Sequence, residues 1–310
     1  MKPLFIALLT CLVIQAQTPF DQHRVISSAA AALRSQYVDR KLGNEMAQAI
    51  ESAAGAGTYN SLTAPRDFAD RVTQDLQKIS HDQHVRISLP GGRGGAGGGQ
   101  GNPGRGVFAN VEMRSGNIGI LTLRSFARPD DTTKQEVDEA FNKLAGARAL
   151  IFDLRPSGGG SPDMVEYVCS YLFKDGSRVH LNDLYAAAID DRHESWTAPD
   201  LPGQRFPDVP VYILTAARTV SAAEGFAYDL QALKRAKVVG ETTRGAANAS
   251  IVVPIDGGFT ITVPVAYVIN PITKTSWENT GVIPDIPVAA DEALDRALLD
   301  LNRGADHRTR

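Results

Sequence analysis

Apolar residues recur at helical spacing in the first third of the chain. Three stripes share this period of three to four residues: Ile26-Ala29-Leu33-Tyr37, Met46-Ala49-Ile50-Ala53 and Phe68-Val72-Leu76-Ile79. Such spacing is typical of helices that bury one face. Glycines at 55 and 57 and the Thr63-Ala64-Pro65 segment separate the stripes. The pattern predicts a small helical domain of three helices over residues 17–90.

Residues 91–106 break this pattern. Their sequence, GGRGGAGGGQGNPGRG, contains almost no apolar side chain. A glycine-rich segment of this kind predicts a flexible linker between two domains, and a mobile loop within one domain is the alternative. In either case the segment contributes nothing to a core.

From residue 107 onward, short apolar segments alternate with helical patterns. Strands are predicted at 117–123, 149–154, 209–214 and 238–240, and a hairpin at 250–255 and 259–263. Thr133-x-x-Glu136 predicts a capping box that opens one helix, Pro162 the first position of another, and residues 221–234 a third. The alternation predicts an α/β core over 107–300, built on a mostly parallel sheet, with a tail at 301–310.

The N-terminus carries a targeting pattern. Lys2 precedes an apolar run, Leu4–Ile14, and a small-residue exit follows that ends at Ala16. The pattern predicts a secretory signal peptide over residues 1–16 and export to the periplasm or the medium. The alternative is a membrane anchor, but the run is short for a bilayer, so no stable span is expected after cleavage.

Composition narrows the possible partners. The net charge is −3, and no basic stripe favours nucleic acid as a partner. The mature chain would hold one cysteine, Cys169, which therefore forms no intramolecular disulfide and whose spacing predicts the buried face of a helix. No His-x-x-x-His or Cys-x-x-Cys pair is present, and the pair His81 and His84 lacks a clear third ligand. Neither a metal nor another cofactor is predicted.

Ser221 is the first residue with candidate chemistry. A buried strand leads through a turn into a helix that begins at this serine. Unpaired backbone N–H groups and the helix dipole at such a position favour an oxyanion. Ser221-x-x-Glu224 is also a capping box, so a purely structural helix cap is the alternative.

A second segment, Gly158–Gly160, follows the predicted strand at 149–154. Consecutive glycines let backbone N–H groups approach a ligand closely. The alternative is a flexible strand-to-helix turn. A phosphate cradle is also conceivable, but the lack of a following Gly-Lys-Ser excludes a nucleotide P-loop. These N–H groups are candidates for binding an oxyanion.

His84, in Asp82-Gln83-His84 after the third helical stripe, is the candidate base. A serine needs such a base to become a nucleophile at neutral pH. A lone histidine is more often structural, and nothing in the local spacing links His84 to Ser221.

Together these segments resemble the C-terminal-processing and tricorn-type serine peptidases, in the branch related to interphotoreceptor retinoid-binding protein. The matching motifs are Asp153-Leu154-Arg155 with Gly158–Gly160, Thr219–Glu224, Val238–Thr243 and Glu278–Asp285. The resemblance implies a crotonase-like α/β core behind a small helical domain. It places Ser221 at the nucleophile position.

The chain departs from the processing peptidases at two points. Ala246 stands where their catalytic lysine lies, and no space remains for their PDZ domain. The resemblance to tricorn-type members instead implies His84 as base and Glu278 as its support, although Gln83 replaces the serine found beside that histidine. The implied oxyanion donors are the N–H groups of Ala222 and of Gly159 or Gly160.

Two functions follow as expectations from this resemblance. The first is an exported serine peptidase that hydrolyses peptide or protein substrates through Ser221, His84 and Glu278. The alternative is a non-catalytic protein that binds an apolar ligand of the retinoid or fatty-acid type on the same fold.

Overall fold

The computed structural model describes residues 20–89 and 106–306. The predicted signal peptide, the predicted linker except Gly106, and the last four residues of the predicted tail lie outside these ranges. None of the helices within them has the length and apolar character needed to cross a membrane.

The described residues form helices and strands at the positions that follow. The helices are α1 (Gln22–Gln36), α2 (Arg40–Gly55), α3 (Pro65–Ser80), α4 (Asp131–Lys143), α5 (Pro162–Ser170), α6 (Ala222–Ala232) and α7 (Ala293–Asp306). The strands are β1 (Arg86–Ser88), β2 (Phe108–Arg114), β3 (Ile118–Leu123), β4 (Ala149–Asp153), β5 (His180–Ala186), β6 (Asp191–Trp196), β7 (Val211–Thr215), β8 (Lys237–Gly240), β9 (Ala249–Pro254), β10 (Thr260–Ile269) and β11 (Ile286–Pro287).

A six-stranded sheet forms the centre of the α/β core, in the order β11-β8-β7-β4-β3-β2. All neighbouring strands are parallel except β2, which pairs antiparallel with β3. Strands β4 and β7 are buried along their whole length. Alternate residues of β4 face different layers: Leu150 and Phe152 pack with α4, α5 and α6, and Ala149 and Ile151 pack with α7. The predicted mostly parallel sheet is confirmed, and helices cover both of its faces.

A second sheet links the two parts of the chain. Its order is β1-β10-β5-β6, with β9 also paired to β10, and all pairs are antiparallel. The apolar stripes of α1, α2 and α3 are buried against Phe259, Ile261 and Val263 around the start of β10. The three predicted helices are therefore present, and they share one hydrophobic core with this sheet. Pairing of β1 with β10 carries the residues just before β1 to the edge of the α/β core.

The predicted capping box at Thr133-x-x-Glu136 is wrong. The N-cap of helix α4 is Asp130, three residues earlier, and Asp130 and Thr133 form the reciprocal cap. The Glu136 carboxylate instead accepts the backbone N–H groups of Val107 and Phe108, both at 2.9 Å. Asp130 is a cap-forming residue too, and the sequence alone does not decide between two overlapping caps.

Candidate active site

Ser221 lies in the turn between β7 and α6, directly before the first residue of the helix. Its backbone has φ 59° and ψ −126°, a conformation that L-residues rarely adopt and that costs on the order of 1–3 kcal/mol. Two hydrogen bonds hold the turn: Ser221 N donates to Glu224 Oε2 at 2.7 Å, and the Thr219 hydroxyl donates to the carbonyl of Leu154 at 3.0 Å. The serine is therefore held in a strained geometry by its surroundings.

Glu224 is the centre of this support. Its side chain is fully buried and also accepts Thr243 Oγ1 at 2.6 Å, Gly245 N at 2.6 Å and Ala246 N at 3.0 Å. Burial raises the pKa of Glu224, and these hydrogen bonds oppose the rise. In the predicted capping box, the hydrogen bond from Ser221 N to the Glu224 side chain is present. The same carboxylate links the turn to the loop after β8.

His84 reaches Ser221 from the N-terminal part of the chain. Helix α3 ends at Ser80, and His81 follows in the left-handed region. The Asp82 side chain then accepts the backbone N–H of His84 at 2.8 Å, which closes an Asx turn. His84 is only 1% exposed, and its Nε2 lies 3.4 Å from Ser221 Oγ. The fold thus brings together two side chains that are 137 positions apart.

Asp82 is the carboxylate nearest the other ring nitrogen of His84. Its Oδ1 lies 3.5 Å from Nδ1, and its Oδ2 accepts Asn248 Nδ2 at 2.9 Å. Both acid and imidazole are almost fully buried. Nδ1 itself makes no hydrogen bond to the described residues. If Nε2 accepts the serine proton, Nδ1 carries the ring hydrogen, and Asp82 is the closest negative charge to it.

Glu278 lies close to this pair without touching the imidazole. Its Oε2 accepts the N–H groups of Ala247 at 2.5 Å and Asn248 at 3.0 Å, whereas Oε1 is buried and has no partner among the described residues. Neither oxygen lies within 4.0 Å of a ring nitrogen of His84. Burial, and then the charge of Asp82, raise the pKa of Glu278, and the charge of His84 lowers it. Asp82 therefore lies against the imidazole, whereas Glu278 interacts with Asp82 and His84 at longer range.

Sequence reasoning assigned no role to Asp82. The sequence did contain a signal for its local contact with His84. An aspartate side chain readily accepts the backbone N–H of the residue two positions later, as in an Asx turn. The bridge from Asp82 to Asn248 spans 166 positions, and no local pattern indicates it.

Gly159 and Gly160 bring backbone close to the serine. Gly159 has φ +87°, and a Cβ there would lie 2.7 Å from the carbonyl oxygen of Val220 and 3.2 Å from Ala222 N. Gly160 has φ +145°, and its Cβ would lie 2.0 Å from the carbonyl oxygen of Phe126. Both positions therefore require glycine. Among the described residues, no acceptor bonds the N–H groups of Ala222, Gly159 or Gly160.

A cavity of about 220 Å³ opens beside Ser221 and His84. Six of the residues that line it are Val165, Glu166, Asn182, Leu184, Val268 and Trp277, and we call this part of the lining the side pocket. Ala222 and Gly160 line the cavity next to the serine. The arrangement places a nucleophile, a base and free N–H donors around one space that a substrate can enter.

Other candidates lie apart from this chemistry. Cys169 is free and completely buried in α5, as its spacing predicted. Ala246, which the sequence resemblance placed at the lysine position of the processing peptidases, is buried. His180, Asp183 and Glu194, which the sequence did not group, have side-chain oxygen or nitrogen atoms within 4.8 Å of one another. Asp183 there already bonds His180 and the Arg192 guanidinium, so its charge is balanced.

Two family models match the chain. Peptidase family S41 matches residues 117–288, more than half of the chain. The chain belongs to peptidase family S41. The N-terminal domain that S41 peptidases carry in eukaryotic interphotoreceptor retinoid-binding protein matches residues 16–94. The residues between the two matches are too few for a separate PDZ domain, since domains rarely have fewer than about 50 residues.

This S41 chain also resembles individual proteins. It is 30% identical over 177 residues to the chloroplastic carboxyl-terminal-processing peptidase 2 of Arabidopsis thaliana, a stretch that is 56% of the chain and 32% of that peptidase. The chain therefore spans about a third of the length of this curated relative.

Solved structures share the fold at low sequence identity. A lipoprotein from Streptococcus agalactiae has a TM-score of 0.62 at 16% identity, with 97% of this chain and 99% of that chain covered. The photosystem II D1 C-terminal processing protease has a TM-score of 0.56 at 17% identity, with 87% of this chain and 94% of that chain covered. The tricorn protease has a TM-score of 0.59 at 13% identity, with 88% of this chain and 35% of that chain covered. The predicted resemblance to processing and tricorn-type peptidases is confirmed, and these structures establish a mixed α/β fold.

Proposed function

We propose that this S41 chain is an exported serine peptidase that hydrolyses peptide bonds in peptide or protein substrates. The observation that carries the proposal is the 3.4 Å approach of a buried histidine Nε2 to a serine Oγ held in a strained turn. Family membership supports the reaction class. The apolar N-terminal run supports export.

The chemistry follows the general serine–histidine scheme. Ser221 Oγ attacks the substrate carbonyl while His84 Nε2 takes the hydroxyl proton. The carbonyl oxygen becomes an oxyanion, which the N–H groups of Ala222 and of Gly159 or Gly160 stabilise. His84 then gives its proton to the leaving amine, and an acyl-enzyme remains. Water repeats the sequence, with His84 as base, and releases the acid product and free Ser221.

Glu278 and Asp82 support the imidazolium that forms in each step. A positive charge in a buried site is costly unless negative charge lies close by. Asp82 Oδ1 is 3.5 Å from Nδ1, and Glu278 adds a second carboxylate at longer range. No lysine lines the cavity in the described part of the chain, so the lysine base of the processing peptidases has no counterpart there.

The second candidate function is a non-catalytic protein that binds an apolar ligand. The apolar walls of the side pocket favour it: Val165, Leu184, Val268 and Trp277 are aliphatic or aromatic. The paired serine and histidine and the free N–H groups favour catalysis, because a purely apolar ligand uses none of them.

Hydrolysis of a mixture of quenched fluorescent peptides separates the two functions. We expect turnover by the mature protein and none by Ser221→Ala. Retinol or oleate binding, followed by tryptophan fluorescence, provides the comparison. Peptide mixtures left intact by a folded protein that binds oleate or retinol at micromolar concentration would establish the binding function and contradict the peptidase.

A further inference from the structure

The side pocket has two polar groups among its apolar walls. One is Glu166 on α5, which lines the cavity and is partly exposed to it. No lysine or arginine of the described chain lies within 4.0 Å of its carboxylate. Burial is the main cause that raises the pKa of Glu166; the charge of Asp163 adds to the rise, and Ser195 and His193 oppose it. Glu166 thus brings a carboxylate without a cationic ion-pair partner to the pocket.

The other polar group is Asn182 on β5. Its Nδ2 donates to Asp229 Oδ2 at 2.6 Å, and Asn270 Nδ2 donates to Asp229 Oδ1 at 2.9 Å. Asp229 is completely buried behind the pocket. This bond fixes the Asn182 amide with its nitrogen turned towards Asp229. Its Oδ1 receives no hydrogen bond within the described residues and is not sealed from solvent, so it faces the cavity that Asn182 lines.

Both polar groups of the pocket are therefore acceptors. The ring N–H of Trp277 in the side pocket already donates to the carbonyl of Ala246 at 3.2 Å. A substrate side chain that fills this space must bring hydrogen-bond donors, or it leaves a buried carboxylate and an amide oxygen without partners. A lysine or arginine side chain places its apolar stem along the walls and its charged end at the two acceptors.

We propose that the side pocket selects lysine or arginine at the substrate residue whose carbonyl Ser221 attacks, with Glu166 as the specificity-determining carboxylate. Ser221, Ala222 and Gly160 line the same cavity, so the side pocket lies next to the place where that carbonyl would lie. This proposal rests on the proposed peptidase function. Asn182, held by Asp229, supplies the second acceptor for the same group.

The test compares peptides that differ only in this residue: lysine, arginine, leucine, glutamine or glutamate. For the unmodified protein we expect kcat/KM to be at least about tenfold higher with lysine or arginine than with leucine. Glu166→Gln should lower kcat/KM for the two basic peptides at least about tenfold and leave the leucine peptide within about threefold. Asp163→Asn, which removes an exposed acid one turn earlier on α5, is the matched control. Because the charge of Asp163 raises the pKa of Glu166, its loss favours ionised Glu166 and should keep or increase the basic preference.

Loss of the same size with every peptide in Glu166→Gln, or no basic preference in the unmodified protein, would overturn the proposal. Labelling of Ser221 by a fluorophosphonate distinguishes this failure from failure of the peptidase function. A labelled protein without the preference leaves the function intact and removes only the specificity.

Agmatine binding by calorimetry examines the pocket without catalysis. We expect Ser221→Ala to bind agmatine at least about tenfold more tightly than Ser221→Ala combined with Glu166→Gln. Equal binding by the two proteins would contradict the role of Glu166 even if no peptide is cleaved.

Discussion

The N-terminal region, residues 20–89, and the α/β core, residues 106–306, contribute to one site in different ways. The core holds Ser221 in a strained turn through a buried carboxylate that accepts four hydrogen bonds. The N-terminal region presents His84 through one Asx turn and the short strand β1. The nucleophile is therefore fixed by a dense network, and the base by a few local bonds and by the pairing of β1 with β10. This difference predicts how each half responds to mutation.

The largest effect should come from the two reacting side chains. Ser221→Ala and His84→Ala should each lower kcat by roughly a thousandfold or more, because the attack and its proton transfer both stop. His81→Asn is the matched control, since asparagine tolerates the left-handed backbone of this exposed residue. It should keep kcat within about twofold. Steady-state kinetics on one peptide gives kcat for the unmodified protein and the three variants. A large loss of kcat in His81→Asn would show that the effect comes from the conformation of the turn rather than from the chemistry of His84.

The two carboxylates around His84 should differ in strength. Asp82→Asn should lower kcat by about a hundredfold, because it removes the negative charge nearest His84 Nδ1. An amide nitrogen in place of Asp82 Oδ2 would also face the Asn248 amide nitrogen, so that two hydrogen-bond donors meet. Glu278→Gln should lower kcat by about tenfold, since its charge acts at longer range. KM should change little in either, and thermal melting checks the fold. A larger effect of Glu278→Gln would make the core, not the N-terminal region, the main support of the base.

Particular residues show how far the sequence predicts this site. The strand, turn and helix around Ser221 follow from local pattern, as do the three helices before His84. The pairing of Ser221 with His84 depends on β1 joining β10, which spacing does not indicate, and it was expected only from the resemblance. The distance from Glu278 to His84 and the Asp82–Asn248 bond depend on how distant loops meet, so local pattern carries no information about them.

Glu224→Gln tests the network that holds the nucleophile. Glutamine replaces one acceptor oxygen by a donor, so at least one of the N–H groups of Ser221, Gly245 and Ala246 loses its partner. We expect the free energy of unfolding to fall by about 1–3 kcal/mol. Urea denaturation measures it. Unchanged stability together with unchanged kcat would show that the strained turn does not need this carboxylate.

The change of stability with pH should depend on Asp229, behind the side pocket. Burial raises its pKa from 3.8 to about 7, although Asn182 and Asn270 donate to it. The folded state therefore binds this proton more tightly than the unfolded state does, and stability falls as pH rises from about 4 to 7, by at most about 1.4 kcal/mol per pH unit. Asp229→Asn should flatten this part of the profile in urea denaturation. A profile of the same slope in the variant would assign the pH dependence to other groups.

Fluorophosphonate labelling of the mature protein, read by mass spectrometry, tests the peptidase account most directly. We expect one adduct on Ser221, strongly slowed labelling in His84→Ala and no adduct in Ser221→Ala. A folded protein that stays unlabelled, or an adduct that persists in Ser221→Ala, would contradict it.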